Sequence, residues 1–138
     1  MKLIGLTMIG MTLVTGHAAA GDSAAHSAGI ARKNLLTATL AAGMEISKVE
    51  IKQVTLAPNI KAPLHLHPCP VVGTVTEGAI AFQIEGEPVQ HLKTGDAFYE
   101  PALTHIARFD NDGESAAQFT AFYMVCDGSQ ELVRILAQ

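Results

Sequence analysis

Two histidines stand one residue apart in a proline-flanked stretch of the sequence. The stretch reads Pro63-Leu64-His65-Leu66-His67-Pro68, and proline on both sides argues against a helix. In an extended strand, residues i and i+2 point to the same face, so the imidazoles of His65 and His67 can converge on one point. Imidazole is a good ligand for transition metals. The pair therefore predicts a site for one divalent transition metal (Fe, Mn, Ni, Cu or Zn), with a third histidine supplied from elsewhere in the chain.

Short apolar runs separated by turn residues surround this pair. Turns are marked by Gly, Pro, Asp and Asn at residues 85–88, 93–96 and 110–113. Short strands with such turns at roughly 8–12-residue spacing indicate an all-β sandwich or barrel. We predict strands at residues 44–56, 71–76, 79–84, 89–92, 97–100, 105–109 and 118–126.

Two segments leave alternatives open. Residues 35–40 can form a first strand or a short helix, and residues 130–136 a terminal helix or an edge segment. Within residues 44–56 the apolar positions change phase at Lys52-Gln53, which suggests a β-bulge.

The first 20 residues are typical of a secretory signal peptide. Lys2 precedes an uncharged apolar run at 3–14, and Ala18 and Ala20 fit the A-x-A cleavage pattern. The run is shorter than the about 20 residues that span a bilayer, although an uncleaved anchor is the alternative. We expect a mature chain that starts at Gly21, is periplasmic or secreted and has no membrane contact. Residues 21–43 would form a flexible start with the first strand or short helix, and residues 44–138 one barrel domain.

The net charge and the two cysteines limit which partners and which chemistry the protein can have. The chain has 9 basic and 13 acidic residues and a formal net charge of −4, which argues against nucleic acid or anionic lipid as a partner. Export would place Cys69 and Cys126 in an oxidising compartment, where they can pair if their Cα atoms lie within about 7 Å. Cys69 is alternatively a soft fourth metal ligand. The sequence leaves both possibilities open.

Residues 49–125 resemble the cupin family of small jelly-roll barrels, which often hold a metal. The first cupin motif runs Gly, five residues, His-x-His, three or four residues, Glu, six residues, Gly. His65, His67 and Gly78 match this motif. The motif's glutamate falls on Val71 and its leading glycine on Asn59, so a carboxylate ligand cannot be carried over to Val71.

The second cupin motif runs Gly, five residues, Pro-x-Gly, two residues, His, three residues, Asn. Gly95 and Pro101 match it, and His105 matches if the loop is one residue shorter. The glycine of Pro-x-Gly falls on Leu103, and the closing asparagine on Phe109.

The resemblance implies a single-domain jelly-roll β-barrel, pairing into a homodimer, and metal ligation by His65, His67 and His105. Two polar residues on the strand at 97–100 are the catalytic candidates, Tyr99 and Glu100, either of which could act as an acid or a base. Strand alternation places them on opposite faces, so at most one should point inward. The plainer alternative is that one of them satisfies a backbone group at the barrel rim.

The leading interpretation is an exported metalloenzyme that acts on a small chelating substrate, as a dioxygenase or, failing that, an isomerase or lyase. The alternative is a non-catalytic module that binds a small ligand or the metal itself. A third interpretation is a structural or sensory protein with a vestigial site. Neither the substrate nor the metal follows from the sequence, because one barrel hosts many functions.

Overall fold

Nine β-strands make up the regular structure of the described residues. The computed structural model describes residues 29–126, 128 and 131–136, so the predicted signal peptide at 1–20 lies outside them. None of the described residues belongs to a helix long and apolar enough to cross a membrane. The strands are β1 (Ile46–Leu56), β2 (His65–Leu66), β3 (Val71–Glu77), β4 (Ala79–Ile84), β5 (Gln90–Lys93), β6 (Ala97–Glu100), β7 (Ile106–Asp110), β8 (Ala117–Cys126) and β9 (Arg134–Ile135).

Internal contacts divide the chain into residues 1–33 and residues 34–138. In the first unit the structure describes residues 29–33, which form neither helix nor strand. The second unit holds two antiparallel sheets, in the orders β1-β8-β3-β6 and β5-β4-β7-β2-β9. Successive strands mostly alternate between the sheets, as in a jelly roll. The predicted all-β jelly-roll fold is therefore confirmed.

Apolar side chains from both sheets form one core. Its centre is a group of phenylalanine rings in contact at centroid distances of 4.8 to 6.4 Å. Burying one such ring contributes about 1.5–3 kcal/mol relative to leaving it exposed. The four rings belong to Phe82, Phe98, Phe109 and Phe119.

The predicted bulge at Lys52-Gln53 is wrong. The β1–β8 ladder is continuous there, and its one register shift lies between Ile46 and Lys48. Because alternation is unbroken, the two apolar pairs of β1 lie on opposite faces: Val54 and Leu56 pack on the core, whereas the pair at 49 and 51 is exposed on the outer face.

Residues 35–40 form neither the strand nor the helix that the sequence suggested. Four of them line a cavity of about 360 Å³ together with Val72, Phe122, Met124 and other residues of the first sheet; these four are Leu35, Leu36, Ala38 and Leu40. Near the C-terminus, where the sequence allowed a helix or an edge segment, the structure has an edge segment, because β9 pairs antiparallel with β2.

Two residues other than glycine adopt the left-handed backbone conformation among the described residues. Asn59 has φ 56° and Leu103 has φ 57°, and these are the two positions where the cupin motifs have glycine. The conformation costs a residue with a Cβ atom roughly 1–2 kcal/mol, and asparagine tolerates it best. The turn at Leu103 brings its N–H within 2.8 Å of the His67 carbonyl oxygen. At both positions the chain therefore adopts a conformation that glycine accommodates more easily.

Cys69 and Cys126 form a disulfide with their Cα atoms 5.8 Å apart. The bond ties the segment after His67 to the end of β8. It also removes Cys69 from the candidate metal ligands, because neither cysteine is a free thiol.

Candidate metal centre

Two imidazoles and one carboxylate meet in the interior of the barrel. His65 lies on β2, His67 just follows it, and Glu100 ends β6. All three are buried, with 7%, 4% and 4% of their surface exposed. Their potential ligand atoms all lie within 4.8 Å of one another. The convergence of His65 and His67, expected from their spacing, is therefore present, and Glu100 joins them.

Backbone carbonyls orient both imidazole rings. Nδ1 of His65 lies 2.7 Å from the Pro63 oxygen, and Nδ1 of His67 lies 2.6 Å from the Leu132 oxygen. A carbonyl oxygen only accepts hydrogen bonds, so each Nδ1 must carry the proton. In the neutral rings this leaves the Nε2 lone pair free. Metal-binding histidines are commonly held by such a second partner.

Both Nε2 atoms face the same carboxylate. They lie 3.8 Å (His65) and 3.2 Å (His67) from the oxygens of Glu100. The two Nε2 atoms and the carboxylate of Glu100 therefore face one common space between them. The donor set fits a divalent transition metal, which prefers imidazole and carboxylate ligands in this combination.

The pKa values of the cluster reflect mutual stabilisation of opposite charges. Burial by itself lowers the pKa of His65, but the Glu100 carboxylate and the Pro63 carbonyl outweigh it, and the pKa of His65 is raised. Burial would raise the pKa of Glu100, yet the two imidazoles lower it further than burial raises it. Without a metal, the site therefore favours a protonated imidazole beside an ionised carboxylate.

The structure does not bring His105, the predicted third ligand, into this cluster. His105 is exposed, and its Nδ1 lies 2.7 Å from Oε2 of Glu85. Its neighbour Ile106 is fully buried and pairs with His65. Counted without a shortened loop, the histidine of the second motif falls on Ile106. Since adjacent residues of a strand face opposite sides, the one-residue difference points His105 outward.

Of the two catalytic candidates, one points inward, as alternation predicted. Glu100 is buried beside the histidines, whereas Tyr99 is only half-buried. The Tyr99 hydroxyl lies 3.5 Å from the carbonyl oxygen of Thr39, in the segment that lines the outer cavity. Tyr99 therefore does not reach the cluster, and Glu100 is placed as a ligand candidate as much as an acid or base.

A cavity of about 140 Å³ adjoins the cluster. The residues lining it are Leu56, Ala62, His65, His67, Glu100, Phe109, Phe119, Tyr123 and Val133. Tyr123 is the functional candidate that the sequence analysis did not select. Its ring centroid lies 5.7 Å from that of His67, and burial, followed by the charge of Glu100, raises its pKa. The sequence did contain a signal for Tyr123. It lies four residues after Phe119 on the same strand, so the two side chains share a face, and Phe119 faces the core.

Solved structures that share this fold include proteins of different activity. DMSP lyase DddQ from Ruegeria pomeroyi is 16% identical with a TM-score of 0.55, over 63% of this chain and 42% of that one. The polyketide cyclase RemF from Streptomyces resistomycificus is 16% identical with a TM-score of 0.54, over 65% and 61%. An uncharacterized conserved protein with a double-stranded β-helix domain from Klebsiella pneumoniae is 17% identical with a TM-score of 0.54, over 72% and 90%.

These likenesses show the fold alone, since the identities are low and the chain spans less than half the length of the lyase. No curated protein gives a significant match to the sequence. The sequence does match the cupin domain over residues 52–126, a range that includes all three members of the buried cluster. This match covers more than half of the chain, and the chain belongs to the cupin family.

Proposed function

We propose that the protein is a metalloenzyme that binds one divalent transition metal through His65, His67 and Glu100 and acts on a small chelating substrate. The observation that carries the proposal is the buried convergence of these three side chains. Two histidines and one carboxylate are the donor set of non-haem Fe(II) oxygenases, so a dioxygenase is the leading reaction type, with an isomerase or lyase next.

The residues of the chain prepare the site in three ways. The carbonyls of Pro63 and Leu132 hold the imidazoles with Nε2 toward the shared space. Three protein donors leave further coordination positions for a substrate, and most of the lining beside them is apolar. A bound metal would supply Lewis-acid or oxygen-activating chemistry at this point. The activities of the lyase and the cyclase that share the fold do not indicate which reaction this protein catalyses, because function depends on the site and not on the fold.

Metal content tests the proposal directly. The chain from Gly21 onward is purified without a histidine tag, reconstituted separately with Fe(II), Mn, Ni, Cu and Zn, and analysed by inductively coupled plasma mass spectrometry. We expect about one metal per chain, lost in a His65→Ala/His67→Ala variant. A His91→Ala/His105→Ala variant removes two exposed histidines instead and should keep the metal. A parent protein that retains none of the five ions would refute the proposal.

A non-catalytic binding module is the second candidate, and one observation favours it. Of the two acid–base candidates, Glu100 is grouped with the histidines as a possible ligand, and Tyr99 lies outside the cavity. Among the described lining residues, this leaves Tyr123 as the one further side chain that could exchange a proton. A metal-loaded protein that binds small chelators but converts none, with and without oxygen, would favour the binding module.

We also propose that the protein is exported to the periplasm or secreted. The signal-like composition of residues 1–20 supports this, and so does the Cys69–Cys126 disulfide, because disulfides persist in oxidising compartments. Fractionation of expressing bacterial cells followed by N-terminal sequencing should find a chain that starts at Gly21. Recovery of the chain in the cytoplasm with Met1 intact would contradict export.

A homodimer through the outer face of the first sheet completes the proposal. Val49 and Ile51 of β1 are 51% and 63% exposed and form an apolar patch on this face. They pair with Met124 and Phe122 of β8, which line the cavity beside residues 35–40. Patches of this kind mark protein interfaces. Sedimentation velocity should show a dimer that Ile51→Lys weakens and Gln90→Lys, on β5, does not. A monomeric parent would refute it.

A further inference from the structure

The cavity beside the metal candidates is small and almost entirely apolar. Its volume is about 140 Å³, and an engineered apolar cavity of about 150 Å³ holds one benzene molecule. The occupant should therefore have about six non-hydrogen atoms. Apart from the cluster itself, Tyr123 is the one polar residue among those that line it.

The surroundings also limit the charge of the occupant. No lysine or arginine is among the lining residues. The three cations next to lining residues in the sequence are engaged elsewhere: Lys61 and Arg108 both pair with Asp110 and Asp112, and Arg134 pairs with Glu131. One carboxylate, Glu100, opposite a divalent ion leaves one net positive charge. A ligand with one negative charge would balance it, whereas a second anionic group would be buried without a partner, which is costly.

Tyr123 provides the remaining polar contact. It lines the cavity beside His67 and is partly buried. The hydroxyl of a tyrosine in an apolar setting usually finds a partner, and a ligand in the cavity can supply one. The phenol hydroxyl would act as the donor.

We infer that the site takes a small chelator with one negative charge and a short apolar substituent, of the 2-hydroxy or 2-oxo monocarboxylate class, and that Tyr123 binds it through its hydroxyl. Chelation by the carboxylate and the adjacent oxygen rests on the metal of the proposed function. The size limit comes from the apolar lining, in which Val133 is half-exposed and can be changed without disturbing the core.

Three ligands that share one chelating group separate size from charge. Lactate fits the inferred class, malate adds a second carboxylate, and mandelate replaces the methyl group with a phenyl ring. Each is titrated into the full mature chain loaded with Co(II), and the change in visible absorption gives the dissociation constant. We expect lactate to bind at least about tenfold more tightly than malate, which would bury an unpaired charge, and than mandelate, which overfills the cavity.

Variants test the residues that set this preference. Tyr123→Phe should weaken lactate binding about threefold to tenfold, the effect of one hydrogen bond, and leave the affinity for Co(II) unchanged. Tyr99→Phe makes the same chemical change outside the cavity and should have no effect. Val133→Ala should improve the binding of mandelate relative to lactate, whereas Val49→Ala, on the outer face, should not.

Each part of the inference has its own contrary result. Malate bound as tightly as lactate would overturn the charge limit, and mandelate bound as tightly would overturn the size limit. An unchanged affinity in Tyr123→Phe would remove that residue from ligand binding. Co(II) loading with no lactate binding would overturn the ligand class and leave the metal site intact. Failure to load any metal would instead refute the proposed function, and this inference with it.

Discussion

Val71 and Glu100 lie directly opposite each other in the antiparallel ladder between β3 and β6, and both side chains are buried. Val71 is the position where the first cupin motif has its glutamate. Residues paired across antiparallel strands project from the same face of the sheet. The carboxylate that the motif places on β3 is therefore supplied here from β6, one strand away.

The same cross-strand row extends to a third strand. Tyr123 on β8 pairs with Val71 from the other side. Glu100 and Tyr123 thus flank Val71 on the inner face of one sheet, while His65 and His67 approach from the other sheet. The polar groups of the cavity come from elements that are far apart in the sequence.

Exchanging the Glu100 carboxylate for an amide tests its role as a ligand. Glu100→Gln keeps the shape of the side chain and removes its charge, so metal affinity should fall by more than about tenfold, the lower end of what even outer partners of a metal site contribute. Glu85→Gln is the matched control, because Glu85 also pairs with a histidine but at the surface. Isothermal titration calorimetry measures both. Equal affinities in the two variants would show that Glu100 does not bind the metal.

The left-handed backbone at Leu103 predicts a stabilising substitution. Leu103→Gly relieves a conformational cost of roughly 1–2 kcal/mol and adds back about 0.5–1 kcal/mol of chain entropy, so the free energy of unfolding should rise by up to about 1.5 kcal/mol. Asn59→Gly should gain less, because asparagine tolerates this conformation. Urea denaturation compares the two. A loss of stability in Leu103→Gly would mean that its exposed side chain contributes more than its backbone conformation costs.

Folding stability of the metal-free protein should depend on pH through the buried cluster. Folding lowers the pKa of Glu100 from its ordinary 4.5, so its contribution is present above that value and is lost as the pH falls. Folding raises the pKa of His65 from 6.5, so its contribution is complete below that value and is lost as the pH rises. Both contributions coexist in the mildly acidic window between the two values.

Thermal unfolding in the presence of a chelator, from about pH 4 to pH 8, measures this dependence. Relative to Glu100→Gln, the parent should be most stable inside the window and lose that advantage on both sides. Parallel pH profiles of the two proteins would contradict the prediction. Metal affinity should instead increase with pH, because protons on the ligands compete with the metal.

The Cys69–Cys126 disulfide predicts a large effect on stability and a smaller one on the site. It closes a loop with a sequence separation of 57 residues, for which chain entropy gives about 4 kcal/mol. A Cys69→Ala/Cys126→Ala variant should therefore unfold at a clearly lower denaturant concentration. It should also bind metal more weakly, because the segment after His67 loses its anchor. An unchanged denaturation midpoint would show that the bond does not constrain the unfolded chain.

The sequence by itself determined the fold class and the histidine pair of the site. The spacing of His65 and His67 sufficed because strand alternation is a local property of the backbone. The turn residues and short apolar runs likewise predicted an all-β barrel, since their signals act over a few neighbouring residues.

Tertiary structure alone decided which other residues join the pair. Glu100 and Tyr123 enter the cavity through the pairing of β6 and β8 with β3, and such register is set by packing between distant segments. His105 faces outward because one residue in a loop reverses the side of the strand, which motif matching cannot detect. The Leu132 carbonyl that orients His67 has no side-chain signature at all, because a backbone oxygen is the same in every residue.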